Sequence, residues 1–578
     1  MHQATILGVV LVSALCSRAA QIPFLVVDSL SATKNDSWDL NVEPNVNATG
    51  HLVFDTVSSF LQHWPNTRYR NGTSSGTRVS LLNCIYLQGH NIVPGTVPVG
   101  TLLYHGRGDS NLPTIPEWTA TDPEHSYLFC RGSLEAGCWH LTLVTSRPLR
   151  VFYFDGSSAA KMRDGPMDTQ DIVGWGQVLP DRYFEERQRA VDLCDWGKPL
   201  GIDGYVRMEM DFEIVLCDFK AGVEVVSMAN LASQGRGGPG GPGRPRPGDV
   251  PAFNDSVLIN GPFDTAASFD VIHSGSWHNR YPGDRRIKLD LTQLVSFYDT
   301  ALVPSLVARR LNLERWDHRL LGITSADVAA VMARLTRAYS YPPQTGSGVD
   351  WDTLFKVVVD RYDDRFEMVR YVLNSTSDDT LATAKKAMSH FRVMLQPYIL
   401  HSAVPGSSID NAWAAPVFKF CATSHTEYIW RSPTLLAKLT ASEELLLNAV
   451  EETNREICRV VVHTWAEGVV AGLDDTLPVD EPVQSDGEVL VGKWKANIEE
   501  LMSWLDWSVW IKCRPECNFE EICYLPTWPF MGEGGGPGRR PERPDTPRPS
   551  HTHAESTFAD DYLRPQPRCV RRFEPYTF

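Results

Sequence analysis

Phe212-Glu213-Ile214-Val215-Leu216-Cys217-Asp218 sets one carboxylate at the head of an apolar run that reads as a β-strand. An earlier run, Gly100-Thr101-Leu102-Leu103-Tyr104, reads as a strand entering a turn at His105-Gly106. Val79 to Tyr86, His140 to Val144 and Leu149 to Phe154 are also rich in strand formers, and one helical piece, Arg182 to Trp196, separates the later strands. Residues 20–232 therefore read as a β-rich α+β domain. The period changes farther on. From about residue 287, beginning with Leu289 to Tyr298, the pattern is helical. Ser325-Ala326-Asp327 offers a helix start, Trp351 to Leu373 carries apolar residues at helical spacing, and Leu445 to Trp465 is a long amphipathic stretch. The expected fold class is α+β, an N-terminal β-rich domain followed by a mainly α-helical domain over residues 250–530. Residues 233–249 are dominated by Gly and Pro and read as a disordered linker, and residues 531–578 as a disordered tail.

The first residues carry an apolar run from Ile6 to Leu15 followed by Ser17-Arg18-Ala19. That pattern reads as a secretory signal peptide over residues 1–19, too short to span a bilayer. Asn-x-Ser/Thr triplets at Asn35, Asn47, Asn71, Asn254 and Asn374 suit an extracellular glycoprotein. No other stretch approaches the length of a transmembrane segment. Of the 12 cysteines, Cys16 falls within the signal peptide, so an odd number remains for disulfides. Cys130 and Cys138 flank a hairpin and are candidates to pair. Cys513, Cys517 and Cys523 lack a neighbouring histidine, so an oxidising compartment favours disulfides over zinc there, and no metal is expected. The net charge of −16 argues against general nucleic-acid binding, because an acidic surface repels phosphate backbones.

Between the His-Gly turn and the strand-borne Glu213 lie Trp118, Ser126, Tyr127 and Phe129. The ordered set resembles the catalytic core of ADP-ribosyltransferases of the poly(ADP-ribose) polymerase and diphtheria-toxin type, over roughly residues 100–218. The resemblance implies that NAD is a substrate. It implies that Glu213 is catalytic, and that His105, Gly106, Trp118, Ser126 and Tyr127 hold the dinucleotide. Two positions depart from the family pattern. Trp118 stands where the family has a tyrosine, and Arg107 follows His-Gly where Ser or Thr is usual. The chemistry is coherent: breaking the nicotinamide–ribose bond develops positive charge on the ribose, which a buried carboxylate stabilises. An aromatic face packs the nicotinamide, and a histidine offers a donor and an acceptor to a ribose hydroxyl. Over most of its length the chain also resembles uncharacterised secreted proteins of fungi, which implies no activity.

Other motifs weigh less. Arg107-Gly108-Asp109 is read as a charged turn rather than an adhesion signal, and Ser158-Ala159-Ala160-Lys161 lacks the Lys-Thr-Gly element of penicillin-binding enzymes. Glu209, Asp211 and Glu213 alternate and would share one face, which reads either as like charges raising the proton affinity of Glu213, as a solvated acidic edge, or as a weak Ca²⁺ site. Two readings follow. One is exported ADP-ribosyl transfer or NAD glycohydrolysis, toward an acceptor the sequence does not name. The other is a non-enzymatic secreted glycoprotein or binding module. They part on whether His105 and Glu213 meet across one hollow.

Overall fold

The computed structural model describes residues 38–62, 89–127, 130, 137–160, 165–208, 211–231, 283–313, 315–339, 345–376, 379–403, 405, 411–477, 479, 482, 486–524 and 567–572. The signal peptide, the strand expected at 79–86, the linker at 233–249, Cys84, Glu209 and the asparagines at 35, 71 and 254 lie outside these residues.

The strands are β1 (Asn91–Val97), β2 (Leu102–Arg107), β3 (Glu117–Ala120), β4 (Cys138–Thr145), β5 (Leu149–Phe154), β6 (Gly204–Met208), β7 (Phe212–Leu216), β8 (Val223–Leu231), β9 (Lys288–Leu289) and β10 (Val295–Ser296). They form one ten-stranded sheet in the order β10-β1-β5-β6-β7-β3-β2-β4-β8, with β9 also on β1. Every pairing is antiparallel except β5 with β6. A parallel pair needs a long crossover. Here it carries helices α3 (Asp168–Trp175) and α4 (Glu186–Gly197), which pack against each other. Trp196 of α4 stacks on Phe152 of β5 at 5.4 Å between ring centroids. The short helix α2 (Pro123–Tyr127) follows β3.

The opposite face receives helix α1 (Gly50–Ser58) and the chain just after it, where Phe60 meets Tyr153 edge-on at 5.5 Å. Next come α5 (Pro304–Arg310), α6 (Ser325–Ala338), α7 (Trp351–Leu373), α8 (Thr380–Leu395), α9 (Ala415–Thr423), α10 (Ala441–Val470) and α11 (Gly487–Leu505). These have clear starts. Thr440 and Glu443 make a reciprocal capping box for α10, and Asp350, Asp379 and Asp486 accept from backbone amides at the starts of α7, α8 and α11. Phe54 of α1 stacks on Phe355 of α7 at 4.8 Å, so the sheet and the helical layer share one apolar core.

Three expectations change. Leu289 to Tyr298 is not the start of the helices: it supplies the end of β9, a 3₁₀ turn and β10, because both short strands pair with β1. The helical piece at 182–196 begins later, at Glu186, and is preceded by a second helix, α3. The tail is not wholly without structure: β12 (Arg568–Arg571) pairs with β11 (Glu521–Tyr524) and is anchored by Cys517–Cys569.

Five disulfides brace the described residues: Cys130–Cys138, Cys194–Cys217, Cys421–Cys458, Cys513–Cys523 and Cys517–Cys569. The cysteines at 513–523 thus take part in two of these bonds, one within the cluster and one to Cys569. No helix among the described residues is long and apolar enough to cross a membrane.

Candidate functional site

Glu213 does not sit on a solvated edge. β7 lies between β6 and β3, and the side chain is 1% exposed. Register places Arg207 directly across on β6. Its guanidinium donates to Glu213 Oε2 through Nε at 3.0 Å and Nη2 at 2.8 Å. Arg207 also donates to Glu186 of α4, which ties the crossover helix to the sheet. Burial alone would lower the proton affinity of Arg207, but Glu213 and Glu186 outweigh it and hold the guanidinium firmly charged. On the other side, His125 Nε2 of α2 lies 3.6 Å from Glu213 Oε1, and Trp118 stacks on His125 at 5.8 Å.

His105 belongs to the other face. Tyr104 pairs with Ala120, and Ala120 pairs with Glu213, so Tyr104 shares Glu213's face. Side chains alternate along a strand, which turns its neighbour His105 away. His105 is 3% exposed and its Nε2 lies 2.8 Å from Glu117 Oε2, with Arg107 donating to the same oxygen at 3.4 Å. Burial pushes the Glu117 carboxyl up, but the hydrogen bond and charge of His105, with Arg107, bring it below the usual range. The expected meeting of His105 and Glu213 across one hollow is therefore corrected. A one-residue offset in a period of two separates them, and Trp118, edge-on to His105 at 5.5 Å, fills the gap between β2 and β3.

The remaining candidates are packed together. A Cβ built on Gly106 would lie 2.4 Å from the Ser126 carbonyl oxygen and 2.7 Å from the Cys130 amide nitrogen. Gly106 thus admits α2 and its following turn against β2, rather than a ligand. Ser126 donates to the Pro123 carbonyl and lies 2.7 Å from His140 Nε2. Burial lowers the proton affinity of His140. Tyr104 stacks on His140, and Tyr127 meets it edge-on. Ser126, Tyr127, Trp118 and Glu213 share a face, and what fills that face is protein.

Two features were not anticipated. Asp211, Asp122, Asp284 and Arg286 gather beside the start of β7. Arg286 donates to Asp284 at 2.8 Å and to Asp122 at 3.1 Å. Burial, then the charge and hydrogen bond of Asp122, push the Asp211 carboxyl well above its usual range. The alternation of residues 209, 211 and 213 did not point to this cluster, because the partners of Asp211 come from Asp122 on one side and from Asp284 and Arg286, more than 70 positions on, on the other.

The second feature is a cleft of about 940 Å³ where the chain before α1, the segment after α5, α10 and α11 meet. Its lining includes His51, Arg310, Arg315, Glu456, Arg459 and Trp504. His51 of α1 stacks on Trp504 of α11 at 4.2 Å. Arg315 is matched by Asp55 at 3.1 Å, and Arg459 by Glu456 at 2.6 Å. Arg310, 7% exposed, donates to the Asn47 carbonyl, and among the described residues no carboxylate lies within ion-pair distance of it. Sequence offered little signal for this cleft, since its walls are hundreds of positions apart.

Residues 135–236 match a domain family described as the YPL277C N-terminal domain. The match spans β4 to β8 and includes Arg207 and Glu213. The chain is 27% identical over 526 residues to uncharacterized protein YOR389W of Saccharomyces cerevisiae, covering 77% of this chain and 78% of that one. It is 28% identical over 371 residues to uncharacterized protein YPL277C of the same yeast, covering 51% of this chain and 73% of that one. No solved structure matches the chain.

Proposed function

We propose that this protein is an exported, disulfide-braced glycoprotein that works by binding, and that Glu213 is a structural charge. The observation that carries the reading is the Glu213 carboxylate itself: two donors of Arg207 take one oxygen, and His125 faces the other, on a buried central strand. An acid so engaged is poorly placed to stabilise a developing oxocarbenium, which needs an acid aimed at substrate. The disulfides suit an oxidising compartment, and the triplet asparagines Asn47 and Asn374 are both exposed. The test is direct. Protein secreted from a eukaryotic host should begin near residue 20, lose mass on glycosidase treatment, and release no nicotinamide from NAD above a heat-treated control. Retention in the cytosol, or nicotinamide release abolished in Glu213→Gln, would overturn it.

ADP-ribosyl transfer or NAD glycohydrolysis is the second reading. It is favoured by the clustering of Trp118, His125, Ser126, Tyr127 and Glu213 on one sheet face. NAD-dependent release that follows Glu213 would place it first.

A further inference from the structure

Burying a guanidinium without a counter-charge is costly, and proteins normally match it. Within the cleft, Arg315 and Arg459 are matched by Asp55 and Glu456 at ion-pair distance, while Arg310 donates to the Asn47 carbonyl and has Glu452 only as a charge beyond that distance. Burial lowers its proton affinity by more than Tyr298 and Glu452 raise it. His51 lines the same cleft, and its Nδ1 is buried with no hydrogen-bond partner. At the mouth, Leu311 and Leu313 are 37% and 47% exposed, and Trp504 forms part of the wall. Exposed leucines lining a concave surface lose free energy to water that an apolar group would recover.

We propose that this cleft binds a small organic monoanion: a carboxylate held by Arg310 and by His51 Nδ1, with an apolar body lying on Leu311, Leu313 and Trp504. The charge count selects a monoanion. One guanidinium is left to match, and a carboxylate meets it bidentately. The cleft lining also includes Glu43, Glu499 and Glu500, which repel a dianion such as a phosphate monoester more than a monoanion. His51 is neutral near pH 7, because burial, then Arg315, Arg310 and His318, hold its proton affinity well below the ordinary value. In the tautomer that carries the ring proton on Nδ1, His51 donates to the carboxylate. The inference rests on the binding reading above and gives it a ligand class.

The test titrates the full secreted chain with octanoate, octylamine and octyl phosphate, following heat release and unfolding temperature. Octanoate should bind and raise the unfolding temperature, octylamine should not, and octyl phosphate should bind more weakly than octanoate. Arg310→Met should weaken octanoate by at least about tenfold, the scale of a lost charge-assisted hydrogen bond. Should that variant fail to fold, Leu313→Asp at the exposed mouth decides: weakened octanoate binding supports the site, and unchanged binding removes it. Equal responses to octanoate and octylamine, tighter octyl phosphate, or full binding by Arg310→Met would each overturn the proposal. Nicotinamide release is read in a separate assay. A protein that ignores both NAD and octanoate loses only this ligand class, whereas NAD turnover overturns the binding reading whatever octanoate does.

Discussion

Replacing Glu213 by Ala separates a structural acid from a catalytic one by the sign of the stability change. The substitution leaves Arg207 buried, 3% exposed, and removes both hydrogen bonds to Oε2, at 3.0 and 2.8 Å. Breaking one side of a buried ion pair costs about 3–5 kcal/mol. Arg207 keeps Glu186 from α4, which reaches partial solvent, so the loss belongs at the lower end, about 3 kcal/mol. Glu213→Gln keeps the shape and one acceptor, and should lose about 1.5 kcal/mol. A double variant, Arg207→Met with Glu213→Leu, removes both charges together, and should recover most of the loss, since a buried pair is often no better than apolar side chains of its size. The assay is guanidinium denaturation of the disulfide-intact protein, followed by tryptophan fluorescence, with the four proteins forming a cycle. A catalytic carboxylate behaves differently, because active sites hold residues at a cost to stability and removing them is neutral or stabilising. Glu213→Ala as stable as wild type, or a double variant no better than the singles, would refute the structural assignment.

Asp211 holds its proton in the folded state more tightly than when unfolded, since burial and Asp122 raise it above the combined pull of Arg286. The stability it contributes is present at acid pH and is lost as pH rises from about 4 through the raised value. Asp211→Asn should therefore raise the denaturation midpoint at pH 7 and flatten its pH dependence, with Asp122, Asp284 and Arg286 left in place. His51 runs the opposite way. Its folded value is depressed, so stability is lost as pH falls below about 6.5, and His51→Gln should remove that part of the acid slope in a pH–melting series. Gly106→Ala sets a methyl against backbone atoms of Ser126 and Cys130 and should cost about 1–3 kcal/mol by denaturant titration. Cys421→Ala with Cys458→Ala opens a loop spanning 37 positions between α9 and α10, and should lose about 4 kcal/mol by chain entropy in the same titration.

Elements whose period is set locally were legible. Trp351–Leu373 forms the helix its spacing announces, and Leu149–Phe154 and Phe212–Leu216 form strands. β9 and β10 were not, because two-residue strands carry no measurable period and exist only through β1. The candidate site was legible as a list and not as an arrangement. Glu213, Trp118, Ser126 and Tyr127 do share a face. Whether His105 joins them depends on one residue of register between β2 and β3, set at Tyr104 and Ala120, which no single strand encodes. Gly106 was visible as a position of close approach, but its neighbour is the Ser126 carbonyl, contributed by a helix whose docking sequence spacing cannot give.

The placement of charge then separates structure from function. Around the sheet, buried charges among the described residues have opposite partners: Arg207 with Glu213, and Arg286 with Asp284 and Asp122. Such pairs fix strands and crossover helices in register, and they hold little in reserve for a ligand, since a newcomer must compete with partners already desolvated. Arg310 is placed otherwise. It sits beside a cleft large enough for a small molecule, with a backbone carbonyl in place of a carboxylate. A polar group buried at a cost that the fold itself does not recover is where binding has most to gain, because the ligand supplies the missing charge. The same reasoning forbids the reverse arrangement. If Arg310→Met were both more stable and indifferent to octanoate while Glu213→Ala were neutral, the charges of this protein would be sorted the other way, and the sheet rather than the cleft would be the place to look for its chemistry.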